Sequence, residues 1–105
     1  MTLYIGRRYI LGVILDFKCK ETEAVWQGRV SRRLPQEIQA VTRRKLRMLN
    51  NARTLDDLRI PPANRLEALK GERRGQHSIR INDQWRVSFV WGTNGVSKVE
   101  IVDYH

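Results

Sequence analysis

Residues 76–91, QHSIRINDQWRVSFVW, constrain the fold more than any other stretch of the chain. Side chains here alternate with period two. Ile79 and Ile81 share one phase, with Trp85, Val87 and Phe89 opposite them across a turn. Ser78, Arg80, Arg86 and Ser88 share the other phase. Successive side chains of a strand point to opposite faces, so the pattern predicts a hairpin with one apolar face and one polar, cationic face. Asn82-Asp83-Gln84 forms the turn, because Asn and Asp tolerate turn backbone angles. A second hairpin follows. Gly92-Thr93-Asn94-Gly95 reverses the chain, and residues 96–103 return with Val99 and Ile101 in the apolar phase.

Upstream the period changes. VILDF at 13–17 reads as a first strand, and residues 20–28 as a short helix with Ala24, Val25 and Gly28 inside and Trp26 as a packing anchor. A second helix opens at Pro35, a residue suited to a first helical position. Ile38, Val41, Leu46 and Leu49 form its buried stripe, and Asn50-Asn51 ends it. Arg43, Arg44 and Arg47 make a basic ridge on its outer side. Thr54-x-x-Asp57 has the spacing of a capping box over a short turn of helix, and Pro61-Pro62 prevents its continuation. Residues 65–70 lead into the sheet, and a loop at 71–75 carries Arg73 and Arg74. Two helices before a run of antiparallel strands imply an α+β fold, with a small sheet and both helices on one face. The other face is then expected to stand open and to carry the arginines. His77, in the apolar phase, reads as packing or an edge residue, and Trp85 and Trp91 as core or rim.

The chain of 105 residues is expected to be one domain at 13–105, large enough to bury a core, with residues 1–12 as an extension outside it. That extension mimics a signal peptide, but its apolar run is short and no small-residue cleavage site follows. A membrane span needs about twenty apolar residues and is not expected. The single cysteine, Cys19, forms no internal disulfide and points to a reducing, cytoplasmic setting. Cys19, His77 and His105 do not make a metal-ligand set, and no cofactor is implied. Twenty Lys and Arg against eleven Asp and Glu give a net charge of +9. Such a surplus points to a polyanion partner, or to an acidic protein. Fifteen of the twenty cations are arginine, the better fork for phosphate.

RLEALKG at 65–71, GQHSIRINDQWRVSF at 75–89 and VEIVDYH at 99–105 resemble the HigB-type toxins of the RelE/ParE superfamily. The combination is specific, whereas each piece alone is weak, and it covers the chain from about Val13 onward. The resemblance implies a small antiparallel sheet with two N-terminal helices. It implies a ribosome-dependent endoribonuclease that cuts translated mRNA in the aminoacyl site. It also implies a HigA-type helix-turn-helix antitoxin as partner, with operator DNA reached only through the antitoxin complex. By the same resemblance Lys70 matches a catalytic lysine, Arg86 a phosphate-facing arginine, and Asp103, Tyr104 and His105 the C-terminal catalytic segment. Glu67 departs from the pattern. It stands where some members have a histidine, which implies lower activity or a different proton path.

Metal-free RNA cleavage uses the substrate's 2′-hydroxyl as nucleophile, and needs a base, an acid and cations for the charge growing on phosphorus. Lys70 and Arg86 suit the last task, with Arg73, Arg74, Arg80, Arg43, Arg44 and Arg47 as RNA-binding cations. His105 suits the acid, because histidine titrates near neutral pH. Asp103 suits orienting a neighbour or accepting a proton, and Tyr104 suits stacking on a base. Strand phase puts Tyr104 with Arg80 and Arg86, and His105 on the apolar side. Two other functions compete with this one. A ParE-like inhibitor of DNA gyrase has no chemical need for the Lys70, Arg86, Tyr104, His105 set. A plain nucleic-acid-binding module would spread its charge evenly and bind without cutting.

Overall fold

The computed structural model describes residues 13–104, so the extension at 1–12 and His105 lie outside the described residues. Two helices come first, α1 at Lys20–Trp26 and α2 at Gln36–Asn51. Four strands follow, β1 at Glu67–Ala68, β2 at His77–Arg80, β3 at Trp85–Gly92 and β4 at Gly95–Asp103. They pair in sequence order, β1-β2-β3-β4, each antiparallel to the next. The architecture is the α+β fold that the helix-then-meander order predicts. No helix among the described residues is long and apolar enough to cross a membrane.

The hairpin register follows from the period-two pattern. Ile79 pairs with Val87, His77 with Phe89 and Arg80 with Arg86, so each face keeps its own chemistry. Ile79, Val87 and Phe89 are fully buried and meet Val25, Leu46 and Leu49 from the helices. His77 sits on this apolar side with its ring stacked near Phe89, 6.3 Å between centroids. Trp26, Trp85 and Trp91 pack partly buried against the same core.

α1 ends two residues earlier than the pattern suggested. Gly28 adopts a left-handed φ of 84°, and the amides of Gly28 and Arg29 donate to Val25 and Ala24 carbonyls at 3.0 and 2.8 Å. That pair of bonds closes the helix. Pro35 is the N-cap of α2 rather than its first helical residue. Gln39 reaches back from α2 to hold the interhelical loop, accepting from the Ser31 amide and donating to the Ser31 and Leu34 carbonyls. The capping box exists: the Asp57 amide donates to the Thr54 hydroxyl and the Thr54 amide to the Asp57 carboxylate. The Arg53 and Thr54 amides hold the Asp57 carboxyl below the usual carboxylate range.

The expected first strand is corrected. Residues 13–17 make only two isolated parallel bridges to β4, Ile14 to Val96 and Phe17 to Val99. The cause is a bulge in β4, where Lys98 and Val99 together oppose Phe89. Lys98 takes a positive φ of 53°, and its amide donates to the Asp16 carboxylate at 2.6 Å instead of to a strand carbonyl. The bulge also shifts the alternation of β4, so that Val96, Val99 and Ile101 are all buried. Gly95 lets the segment approach: a Cβ there would lie 2.5 Å from the Val13 carbonyl oxygen.

Candidate active site

The polar sheet face is not open as the sequence implied. Ser78 is 1% exposed, Ser88 0% and Arg86 6%. Among the described residues α1 and α2 pack on the apolar face and do not cover them. Instead the arginines lie down on the sheet, and the 65–73 segment folds over them. Arg86 Nε donates to Ser78 Oγ at 2.7 Å, and Nη2 donates to the Arg65 carbonyl at 2.5 Å and the Ser78 carbonyl at 3.3 Å. Glu67 Oε1 is 3.7 Å from Nε, and the Tyr104 ring centroid is 5.6 Å from the guanidinium carbon. Burial pushes the Arg86 guanidinium below its ordinary range, while Glu67 and then Tyr104 pull it back up. Among the described residues Nη1 carries no hydrogen bond.

Beside this buried cation lies a cleft of about 510 Å³, lined by residues from β1, the loop after it, β2 and the end of β4. Glu67, Lys70, Arg73 and Tyr104 line it, together with Ser78 and Asp103. Register explains the convergence. Glu67 stands opposite Ser78, and Val102 opposite Arg86, so Glu67 and Tyr104 share the polar face. Lys70 is exposed at the rim. Arg73 spans the face, its Nη1 lying 3.4 Å from Ser88 Oγ, 3.4 Å from Glu100 Oε1 and 3.2 Å from Gln76 Oε1. The turn of the first hairpin clamps the chain end. The Tyr104 amide donates to the Gln84 carbonyl at 2.6 Å, and Gln84 Nε2 donates to Asp103 Oδ2 at 3.2 Å. Asp103 pairs with Trp85, which places it on the apolar phase at the cleft's end.

The remaining cations of the sequence reading do not converge here. Arg80 pairs with Asp83 in the hairpin turn. Arg74 is exposed on the loop. Arg44 and Arg47 are exposed on α2, which packs on the opposite sheet face. Arg43 is corrected: it is half-buried, and its Nε donates to the Val25 carbonyl at 3.2 Å, completing the end of α1. Lys45, which the ridge pattern passed over, is buried, and its ammonium donates to Asn64 Oδ1 at 2.5 Å. Gln84 also belongs at this site, and so does Glu67, which the sequence reading treats only as a departure from the family pattern. Carrying the period-two phase back to β1 would have found Glu67. No group of three or more His, Cys, Asp or Glu among the described residues could hold a metal ion.

Chemically the cleft joins two cations, one carboxylate on the same face and an aromatic ring half open to solvent, with a fixed guanidinium buried beside them. That set suits holding a phosphodiester beside an unstacked base. Comparison with known proteins agrees with the residues. A family model for the RelE-like toxin HigB of type II toxin–antitoxin systems matches residues 15–105. Toxin HigB-1 of Vibrio cholerae is 41% identical over 92 residues, covering 87% of this chain and 96% of that protein. An uncharacterized protein of Haemophilus influenzae is 35% identical over 72 residues, covering 69% of this chain and 71% of that protein. The chain belongs to the HigB family of RelE-like toxins of type II toxin–antitoxin systems.

Proposed function

We propose that this toxin is a metal-independent endoribonuclease that cuts translated mRNA in the ribosomal aminoacyl site. The observation that carries the reading is the convergence of Lys70, Arg73 and Tyr104 on a cleft beside the buried Arg86. Arg86, with Nη1 unbonded among the described residues, and Lys70 stabilise the charge that builds on the scissile phosphate. Arg73 adds a cation at the rim, and Tyr104 stacks on the neighbouring base. His105, directly after Tyr104 in sequence, protonates the departing 5′-oxygen, with the Lys70 ammonium as the other donor within the cleft. Asp103 holds the chain end through Gln84. Arg44 and Arg47 on α2, with Arg74, Arg80 and Arg43, provide the wider positive field that draws the protein to ribosomal RNA.

A type II family implies an antitoxin partner, and we take it to be a HigA-type helix-turn-helix protein acting in the cytoplasm. The test is primer extension on an mRNA translated with and without the toxin. Cuts confined to the aminoacyl site, absent on free RNA and present with only the magnesium that ribosomes need, support the reading. Growth inhibition with intact mRNA would overturn it in favour of a gyrase inhibitor.

A further inference from the structure

We infer that Asn64 is a positioning residue for the cleavage, fixing the left-handed turn at Arg65 whose carbonyl holds the Arg86 guanidinium beside the cleft. This rests on the nuclease reading above and says what keeps its central cation in place. Asn64 is 0% exposed, and both polar atoms of its side chain are bonded. Oδ1 accepts from the buried Lys45 ammonium at 2.5 Å. Nδ2 donates to the Leu58 carbonyl at 3.0 Å and to the Ile60 carbonyl at 3.4 Å. The Asn64 amide donates to the Pro61 carbonyl at 2.9 Å, and the Arg65 amide to the Pro62 carbonyl at 3.0 Å. Together these bonds draw residues 58–65 into one turn and tie that turn to α2.

The turn ends on a residue held in a costly shape. Arg65 has φ 45° and ψ 58°, a left-handed conformation that a residue with a Cβ keeps only where its surroundings impose it. Its own side chain is exposed, so the constraint comes from the buried neighbour. What the conformation delivers is the Arg65 carbonyl, which accepts from Arg86 Nη2 at 2.5 Å. An extended Arg65 would turn that oxygen away and leave Nη2 with the longer 3.3 Å bond to the Ser78 carbonyl. Two successive residues thus join the two sides of the sheet. Asn64 binds α2, on the apolar face, and Arg65 binds Arg86, on the polar face. An arginine has several rotatable bonds, so a guanidinium held at both Nε and Nη2 is already set for phosphate where a free one is not.

Two measurements test this. One is single-turnover cleavage on programmed ribosomes. The other is proton exchange at Arg86 Nε–H, followed by NMR of toxin separated from its antitoxin, the signal being the one lost in Arg86→Lys. Asn64→Asp keeps an acceptor for Lys45 but cannot donate to the Leu58 and Ile60 carbonyls. It should speed exchange at Arg86 Nε–H while the β3 backbone amides keep their protection. It should also cut at least about tenfold more slowly, the scale on which small misplacements act. Arg65→Gly and Arg65→Ile both remove the side chain, and only glycine takes left-handed angles freely. Arg65→Ile should therefore cut more slowly than Arg65→Gly and exchange faster at Arg86, and this pair decides the matter if Asn64→Asp does not fold. Wild-type protection of Arg86 Nε–H in folded Asn64→Asp, or in Arg65→Ile, overturns the inference. So does protection lost evenly along β3, which would make Asn64 a residue of general stability, and so does equal cleavage by the two Arg65 variants. A wild-type toxin that leaves translated mRNA intact overturns the nuclease reading instead, and the exchange measurement still shows whether Asn64 holds Arg86.

Discussion

Arg86→Ala should weaken the fold as well as the chemistry. A side chain on an open face could be removed at no structural cost, but this one is 6% exposed and donates to Ser78 Oγ, the Ser78 carbonyl and the Arg65 carbonyl. Truncation leaves the Ser78 hydroxyl, itself 1% exposed, without its partner. It also removes the tie between β3 and the segment entering β1. Hydrogen bonds to a charged donor are each worth about 1.5–3 kcal/mol. The burial of the guanidinium opposes part of that gain, so a net loss of about 3 kcal/mol is reasonable. For a domain of this size that lowers the melting temperature by roughly 10–25 °C. Arg86→Lys keeps the charge but cannot serve Ser78 and Arg65 together, so it should fall between the two. The assay is thermal unfolding of toxin separated from its antitoxin, followed by circular dichroism. Arg86→Ala melting within about 2 °C of wild type would refute the idea that this guanidinium holds the cleft's wall to the central hairpin. The same measurement fixes how the toxicity of Arg86 variants is read, because lost activity counts as chemistry only for the folded fraction.

Burial, then Arg44 and Arg80, push the Lys45 ammonium below its ordinary value, so folding disfavours its charged form. The native state then binds fewer protons than the unfolded chain, and this residue's contribution improves as pH rises toward that value. Wild type should gain stability relative to Lys45→Met between pH 7 and 9.5 in urea titrations, and parallel behaviour would contradict the assignment. Gly95→Ala would place a methyl group 2.5 Å from the Val13 carbonyl oxygen at a φ of 144°. It should cost more than about 1 kcal/mol and speed amide exchange at Leu15 and Lys18, which bond to β4. Deleting residues 1–12 should change the melting temperature by no more than about 2 °C, since such extensions carry little of a domain's stability. A larger fall would show that they pack on it.

What could be read from the residues was local and periodic. Ile79, Val87 and Phe89 announce one sheet face by alternation alone, and Ile38, Leu46 and Leu49 announce one helix face by spacing. The Thr54–Asp57 box also lies within four residues. What escaped the reading depends on contacts between distant segments. Alternation says that Arg86 leaves the core side, but not that the Arg65 carbonyl and the Tyr104 ring wait above it. A cationic side chain of this length can stand up or lie down, and only the chain returning across it decides. Lys45 shows the same problem on α2: Asn64 lies beyond two prolines, and nothing near Lys45 in sequence marks it as buried. The β4 bulge was hidden because one extra residue at Lys98 looks like a slip in the pattern until Asp16 is seen to bind its amide.

The pairing of residues 13–18 with β4 also bears on the order in which the molecule is made. Asp16 meets Lys98, 82 residues later, and Thr22 receives the Ile101 amide across 79. Residues 13–18 must wait for β4 before their backbone is satisfied. Every wall of the cleft lies between Glu67 and Tyr104, so the site and the sheet edge are completed in the same late event. Long-range closure of this kind is slow and cooperative. A chain cut short before β4 would lack Val102, Asp103 and Tyr104, and with them one wall of the cleft.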